Sequence, residues 1–145
     1  MFYPEKFRRF RLRLVGGAAL LLTLGGLWIP PAVFAKIVRN TIDPVATITR
    51  NDRHIVVTGP VQCTAGETFD VRATLTQRTT GAMAEGAVRF TCTGNLQHWL
   101  VEANTRGKES FQAGLATAVA IGATTDRGRV TDMHQWLVSI ILVNQ

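Results

Sequence analysis

Cys63 and Cys92 are the only cysteines in this chain of 145 residues, and each is followed within three residues by a glycine. Cysteine thiols can bind a metal, carry redox chemistry or form a disulfide. A structural zinc site uses four ligands and a thioredoxin-like site uses a Cys-x-x-Cys pair, and the sequence supplies neither. In an oxidising compartment two cysteines usually pair. The sequence therefore predicts a disulfide, with a free or metal-bound pair as the alternative.

The histidines are the other side chains with chemistry near neutral pH. Asp132, His134 and Trp136 alternate in the segment "DMHQW", so they share one face of an extended strand, where the carboxylate could tune the imidazole. His54 and His98 begin strands at opposite ends of the predicted domain. We therefore expect no three-histidine metal site.

The remaining polar groups give little support for catalysis. His98 and Glu102 are predicted to form a solvated pair on an outer strand face. Ser110 and Ser139 are the only serines, and neither lies in the Gly-x-Ser-x-Gly sequence of a nucleophile elbow. The sequence also contains no glycine-rich phosphate loop. We therefore predict no enzymatic activity and no cofactor.

The first 35 residues have the composition of an export signal. A basic start, "MFYPEKFRRFRLR", precedes the uncharged run "LVGGAALLLTLGGLWI", and "PPAVFA" then places small residues where a signal peptidase cuts. We expect cleavage before Lys36. The alternative is an uncleaved anchor, because no residue from Leu14 to Ala35 is charged and a membrane span needs about 20 such residues. The predicted organisation is a signal peptide at 1–35, a linker with a first strand at 36–53 and a β domain at 54–145.

The charge of the chain is concentrated in this N-terminal segment. The formal net charge is +6, and five of the sixteen Lys and Arg residues lie in the first 35 residues, where Glu5 is the single acidic residue. The rest of the chain carries eleven basic residues against nine acidic residues. Nucleic-acid binding, which needs a basic surface, is therefore not expected of the mature protein.

Beyond the N-terminal segment, apolar and polar residues alternate and turn residues recur every eight to twelve positions, which is typical of an all-β domain. The pattern predicts strands at 45–50, 54–63, 68–76, 84–92, 97–103, 111–123 and 130–143. A sheet with one apolar face must bury that face against another layer. We therefore predict an immunoglobulin-like antiparallel β-sandwich of about seven strands, preceded by an N-terminal signal helix.

Four segments carry a resemblance to a known group of proteins. "GPVQCTAGETFDVRATLTQ", "FTCTGNLQHWLVEA", "FQAGLATAVA" and "MHQWLVSIILV" resemble small secreted bacterial immunoglobulin-like β-sandwich proteins of unknown function. The resemblance covers residues 54–143. It implies that Cys63 and Cys92 pair and that Trp99 and Trp136 belong to the core. It implies no chemistry.

The last predicted strand is apolar on both faces. Its inward phase continues from Trp136, which leaves Leu137, Ile141 and Val143 on the outer face as a candidate interaction surface. Residues 36–53 could cover this face, a partner could bind it, or it could be simply exposed. The partner could be a cell-envelope component or a second copy, and membrane contact is expected only through an uncleaved N-terminal segment.

These patterns together predict an exported binding or structural module, secreted or held at the cell surface of a bacterium. The alternative is a small secreted enzyme or enzyme inhibitor on the same fold, because function on such folds lies in the loops.

Overall fold

The computed structural model describes residues 37–49 and 51–145, which are all-β and contain no helix. The predicted signal peptide and its anchor alternative lie outside these residues. Within them, no element is a helix with the length and apolarity needed to cross a lipid bilayer. The strands are β1 (Arg39–Asn40), β2 (Val45–Thr49), β3 (His54–Gln62), β4 (Thr68–Gln77), β5 (Ala82–Thr91), β6 (Gln97–Arg106), β7 (Gly114–Asp126) and β8 (Arg129–Asn144).

The strands form one closed barrel. Neighbouring strands pair in the order β3, β2, β8, β7, β4, β5, β6, and β6 pairs back with β3, so that seven strands close the sheet and β1 is added beside the end of β3. The β2–β8 ladder is parallel and the others are antiparallel. The predicted immunoglobulin-like sandwich is therefore wrong, although each predicted strand segment is present.

The size of the inward side chains explains why the sheet closes on itself instead of packing against a second sheet. A barrel of about eight strands has an interior just wide enough to be filled by side chains, and seven strands leave less room. The inward positions of β7 are correspondingly small, and the buried side chains there are Ala116, Ala118, Ala120 and Thr124. Larger side chains fill the centre from β4, where Phe69 and Leu75 are fully buried.

Glycines at two inward strand positions allow the walls to approach each other. A Cβ at Gly122 would lie 2.7 Å from Cζ of Phe69, and a Cβ at Gly86 would lie 2.7 Å from Cγ1 of Val101. Side chains at these positions would therefore collide with the core. A glycine inside a strand is a known sign of such close approach.

The segment predicted as linker and first strand helps to close the barrel. β2 pairs with β3 on one side and with β8 on the other, where Val45 lies opposite Ile141. Upstream, the backbone N–H of Asp43 donates to the carbonyl of Thr58 on β3. This segment therefore fills the wall between β3 and β8.

The two cysteines form a disulfide that joins the ends of β3 and β5. Cys63 and Cys92 are both buried and their Cα atoms are 5.6 Å apart. β3 and β5 run in the same direction because both are antiparallel to β6, so their ends meet at one rim of the barrel. The predicted disulfide is therefore present in the structure.

Candidate functional site

The outer face of β2, β7 and β8 carries a group of exposed apolar side chains, which we call the apolar surface. Leu137 is 71% exposed and Met133 is 61% exposed on β8, and Leu115 is 68% exposed on β7. The full set is Val45, Leu115, Ile121, Met133, Leu137, Ile141 and Val143. This set includes the three residues that the sequence predicted as an interaction surface, Leu137, Ile141 and Val143.

Strand register makes these side chains neighbours. Ile141 lies opposite Val45 on β2 and opposite Leu115 on β7, so one row of apolar side chains crosses three strands. Leu137 lies opposite Val119 on β7, which extends the surface along β8. Neighbouring residues in paired strands contact each other on the same face. Ser139 and Thr117 lie opposite each other between this row and the Leu137–Val119 pair. The apolar surface therefore consists of two groups of neighbouring apolar side chains separated by one polar pair.

The strand positions of the apolar surface carry no charged residue, and Arg78, which lines a cavity with Leu115 and Ser139, is a charged residue at its edge, whereas the opposite wall of the barrel carries ion pairs. The other outward positions between its exposed apolar residues are also neutral, and they are Thr47, Thr117, Val119, Ala123, Gln135 and Ser139. The barrel wall formed by β4, β5 and β6 is built differently, because Arg89 donates to Asp70 and Arg106 lies 2.6 Å from Glu85. Exposed apolar side chains grouped on one side of a protein commonly mark a binding site.

Asp132, His134 and Trp136 lie together on the inward face of β8, as their alternation predicted. Nε2 of His134 is 3.3 Å from Oδ2 of Asp132, and the rings of His134 and Trp136 have centroids 5.9 Å apart. The same carboxylate oxygen accepts a 2.9 Å hydrogen bond from the backbone N–H of Ile37, which is itself buried. This cluster therefore ties the first described residues to β8.

The electrostatics of Asp132 follow from these contacts. The N–H of Ile37 holds the pKa of the Asp132 carboxyl below its usual value of 3.8, and partial burial opposes this effect. The N–H of Met133 and the imidazole of His134 lower the pKa further. The carboxylate is thus ionised at neutral pH and stabilises the position of the N-terminal segment.

A second polar cluster was not foreseen from the sequence. Nδ1 of His54 lies 2.5 Å from Oγ1 of Thr49, and Nε2 lies 3.3 Å from Oε2 of Glu102. Glu102 therefore contacts His54 and not His98, which corrects the predicted His98–Glu102 pair. Residues four apart on a strand are separated by about 13 Å, so they cannot touch, whereas β3 and β6 are neighbours.

This second cluster resembles a nucleophile, base and acid in composition, but its geometry is structural. Thr49 and His54 are the paired residues that close the β2–β3 hairpin. His54 is only 5% exposed, and both of its ring nitrogens are engaged by Thr49 and Glu102. The imidazole is therefore not accessible to a substrate. Its contacts instead hold the ends of β2, β3 and β6 together.

The described cavities are shallow and contain none of the histidines. One of 160 Å³ is lined by Ser139 and Leu115 among others, and two of 250 and 370 Å³ lie on either side of Arg72. Ser110 is exposed in the loop between β6 and β7. In residues 37–49 and 51–145, no group of three His, Cys, Asp or Glu side chains is arranged to hold a metal ion.

The two tryptophans differ in burial. Trp99 is 1% exposed, and its indole Nε1–H donates a 3.2 Å hydrogen bond to Oδ1 of Asn40. Trp136 is half-buried at the edge of the core, beside His134. Trp99 therefore belongs to the interior, and Trp136 lines one end of it.

Comparison with known proteins adds no further assignment. The chain matches none of the protein-family models with which it was compared, and a search of curated proteins returns no match. The resemblance to small secreted bacterial immunoglobulin-like proteins therefore stays a prediction, and the sandwich that it implied is replaced by the barrel.

Proposed function

We propose that the protein is an exported binding module, which acts at the bacterial cell surface or outside the cell and recognises its partner through the apolar surface. The observation that carries the proposal is the row of exposed side chains Val45, Ile141 and Leu115 across three strands, with the still more exposed Leu137 further along β8. Burying an aliphatic side chain of this size contributes about 1.5 to 3 kcal/mol, so a few of them suffice for binding.

The proposed location has two supports. The Cys63–Cys92 disulfide is a bond that persists in oxidising compartments outside the cytoplasm. The composition of residues 1–35 is that of an export signal. A closed barrel is also a suitable scaffold for an exposed binding surface, because β2, β8 and β7 are each paired with a neighbouring strand on both sides.

The alternative function, a small secreted enzyme or enzyme inhibitor, stays a prediction that we do not adopt. The cluster closest to a catalytic geometry is Thr49, His54 and Glu102, and its imidazole is buried with both nitrogens engaged. A general base must reach the proton that it removes from a substrate. The apolar surface, by contrast, is accessible over its whole length.

Retention on cell envelopes tests the proposal. The full chain is expressed in a bacterial host, and the amounts in the envelope and in the medium are compared for the wild type and for the double variant Leu137→Thr, Ile141→Thr. We expect the variant to lose envelope retention by about tenfold or more, because two aliphatic contacts are removed. Leu100→Thr is the matched control, since Leu100 is a 49% exposed leucine on β6, across the barrel.

Thermal unfolding establishes that each variant is folded before retention is compared. Retention of the folded double variant at the wild-type level would contradict the proposal. Equal loss in the Leu100→Thr control would also contradict it, because that result would assign retention to a different part of the barrel.

A further inference from the structure

We propose that the partner of the apolar surface is a second copy of this chain, which packs its own apolar surface face to face against the first in a two-fold dimer. This inference rests on the proposed function, because it names the partner of the same surface. If the partner is a second copy, the protein is a self-associating module and the dimer is its functional form.

The absence of charge on the apolar surface is the first argument for a second copy. No outward strand position of the apolar surface holds a charged residue. This surface runs from Val45 on β2 to Ala123 on β7 and Val143 on β8. A charged partner, such as an anionic lipid headgroup or an acidic protein, would bury its charges against this face without compensation, which is costly. An identical face brings no charge from its strand positions, and Arg78, beside Leu115 and Ser139, is a charged residue at its edge.

The arrangement of strands fits a two-fold axis. β8 is the central strand of the apolar surface, with β2 and β7 on its two sides. Leu137 lies near the middle of the exposed part of β8 and is its most exposed apolar side chain, at 71%. Two sheets pack face to face at about 10 Å with strands within about 30° of each other. A two-fold axis through the centre of the surface therefore brings Leu137 of one copy close to the same residue of the other.

The area of the apolar surface predicts the strength of this dimer. β7 and β8 run side by side along the surface for roughly 36 Å and are together roughly 10 Å wide, and β2 adds a third strand only beside residues 141–144, which gives about 400 Å² per copy. The two copies together would bury about 800 Å², in the range of weak and transient interfaces. We therefore expect a weak dimer that dissociates on dilution and forms where the protein is concentrated.

Charged residues limit the extent of the apolar surface on its β4 side. On the β4 side, the outward neighbour of Ile121 is Arg72, and the neighbour of Ala123 is Asp70. These charges stay in solvent when two apolar surfaces meet. They would be buried if the copies slid toward the β4 wall, so they fix the lateral position of the contact.

Sedimentation velocity across a concentration series tests the inference. The protein that a bacterial host produces from the full chain is purified, and its sedimentation coefficient is measured from micromolar to millimolar concentration. We expect the wild type and Leu100→Glu to form dimers with rising concentration. Leu137→Glu should raise the dissociation constant by at least about tenfold, because it would place two carboxylates against each other at the two-fold axis.

Crosslinking in intact cells provides a second measurement that does not depend on purification. The native cysteines form one disulfide, so a cysteine introduced by Leu137→Cys is the reactive thiol for a short bismaleimide. We expect a crosslinked dimer from Leu137→Cys and none from the control Leu100→Cys. Equal crosslinking at both positions, or at neither, would contradict the proposed interface.

The two proposals fail in different ways. A wild type that stays monomeric at every concentration and gives no crosslink overturns the second-copy inference. If envelope retention is still lost in the Leu137→Thr, Ile141→Thr variant, the proposed function stands and the occupant is an envelope component. If retention is unaffected as well, both proposals are wrong. Dimers that persist unchanged in Leu137→Glu would place self-association on another surface and would also overturn the inference.

Discussion

Trp99 links two parts of the chain that are far apart in sequence. Its ring lies in the barrel interior on β6, and its indole N–H donates to Asn40 on β1, so one residue contributes both buried area and a polar contact. A Cβ at Gly59 on β3 would collide with the same ring. The ring therefore fits against a neighbouring strand that has no side chain at that position.

We expect Trp99→Ala to destabilise the protein by about 3 to 5 kcal/mol, because it empties a fully buried aromatic site. Trp136→Ala is the comparison, and its effect should be smaller because Trp136 is half-buried. Chemical denaturation of both variants measures the difference. A Trp99→Ala variant as stable as the wild type would show that the indole does not fill the interior.

Asp132 gives the structure a defined dependence on pH. Its pKa is lower in the folded state than the ordinary value of 3.8, mainly because it accepts the N–H of Ile37. A carboxyl with a depressed pKa stabilises the folded state above its unfolded pKa, and this stability is lost as the pH falls through the folded pKa. The wild type should therefore lose stability below about pH 4 through this group.

We expect Asp132→Asn to be less stable than the wild type at pH 7, and we expect this deficit to shrink as the pH is lowered from 7 to 3. The asparagine carries no charge at either pH, so its own contribution does not change. Urea denaturation at both values measures the deficit. Asp126→Asn, an exposed carboxyl at the end of β7, is the control. A deficit that is the same at both pH values would refute the role of the Asp132 charge.

Some of these residue contacts follow from sequence and others do not. The Asp132, His134 and Trp136 row was predictable, because residues two apart on one strand always share a face. The His54–Glu102 contact was not, because it depends on β3 pairing with β6, and nothing in the local sequence specifies which strands become neighbours. The alternation that predicts a strand gives no information about its partner.

At the level of elements, the disulfide fastens two strands that do not pair with each other. β6 lies between β3 and β5 in the sheet order, and Cys63 and Cys92 connect β3 and β5 where these two strands end. The backbone also contributes, since the N–H of Gly66 donates to the carbonyl of Cys92. The two turns that begin with Cys-Thr therefore pack as one rim.

We expect removal of this disulfide by Cys63→Ala with Cys92→Ala to lower the free energy of unfolding by about 3 to 4 kcal/mol, the chain-entropy value for a loop of this length. The sequence separation is 29 residues. Denaturation of the double variant and of the reduced wild type should agree. Full stability in both would mean that the rim is held by its backbone hydrogen bonds alone.

Gly122 on β7 tests the close packing that accompanies closure. We expect Gly122→Ala to destabilise by about 1 to 3 kcal/mol, since its methyl group would lie 2.7 Å from Phe69 and 3.1 Å from Trp136. Ala123→Ser, on the outer face of the same strand, should change stability by less than about 0.5 kcal/mol. Thermal unfolding of both separates an interior clash from a general effect on β7.

The strands were predictable because period-two alternation marks each of them, and the fully buried row Phe69, Val71, Ala73 and Leu75 is the clearest case. Their closure into a barrel was not predicted, because alternation is the same in a sandwich and in a barrel. The signal that distinguishes the two was present in the inward glycine and alanines of β7. Such small residues cannot fill a two-sheet core of about 10 Å, but they fit a narrow barrel.

At the scale of the whole molecule, the two sides of the barrel have different chemistry. The wall of β4, β5 and β6 carries ion pairs that keep it in solvent, whereas the wall of β2, β8 and β7 carries the neutral apolar surface. The sequence predicted the apolar outer positions of β8. It did not predict that Val45 and Leu115 would extend them, because that requires β2 and β7 to flank β8.

The central claim is that a partner covers the apolar surface when the protein is bound to it. Two native methionines can report whether this surface is exposed to solvent. Met133 lies on the apolar surface and is 61% exposed, and Met83 lies across the barrel on β5 and is 41% exposed. Both are therefore open to oxidation by peroxide in the free protein. The measurement can therefore be made on the wild-type protein.

The most direct measurement is the ratio of Met133 to Met83 oxidation, read by mass spectrometry after a peroxide pulse in intact cells and again in dilute purified protein. The account predicts that the ratio is severalfold lower in cells, because Met133 is covered by a partner while Met83 stays exposed. The same ratio in both samples would show that the apolar surface is open to solvent in the cell and would contradict the account.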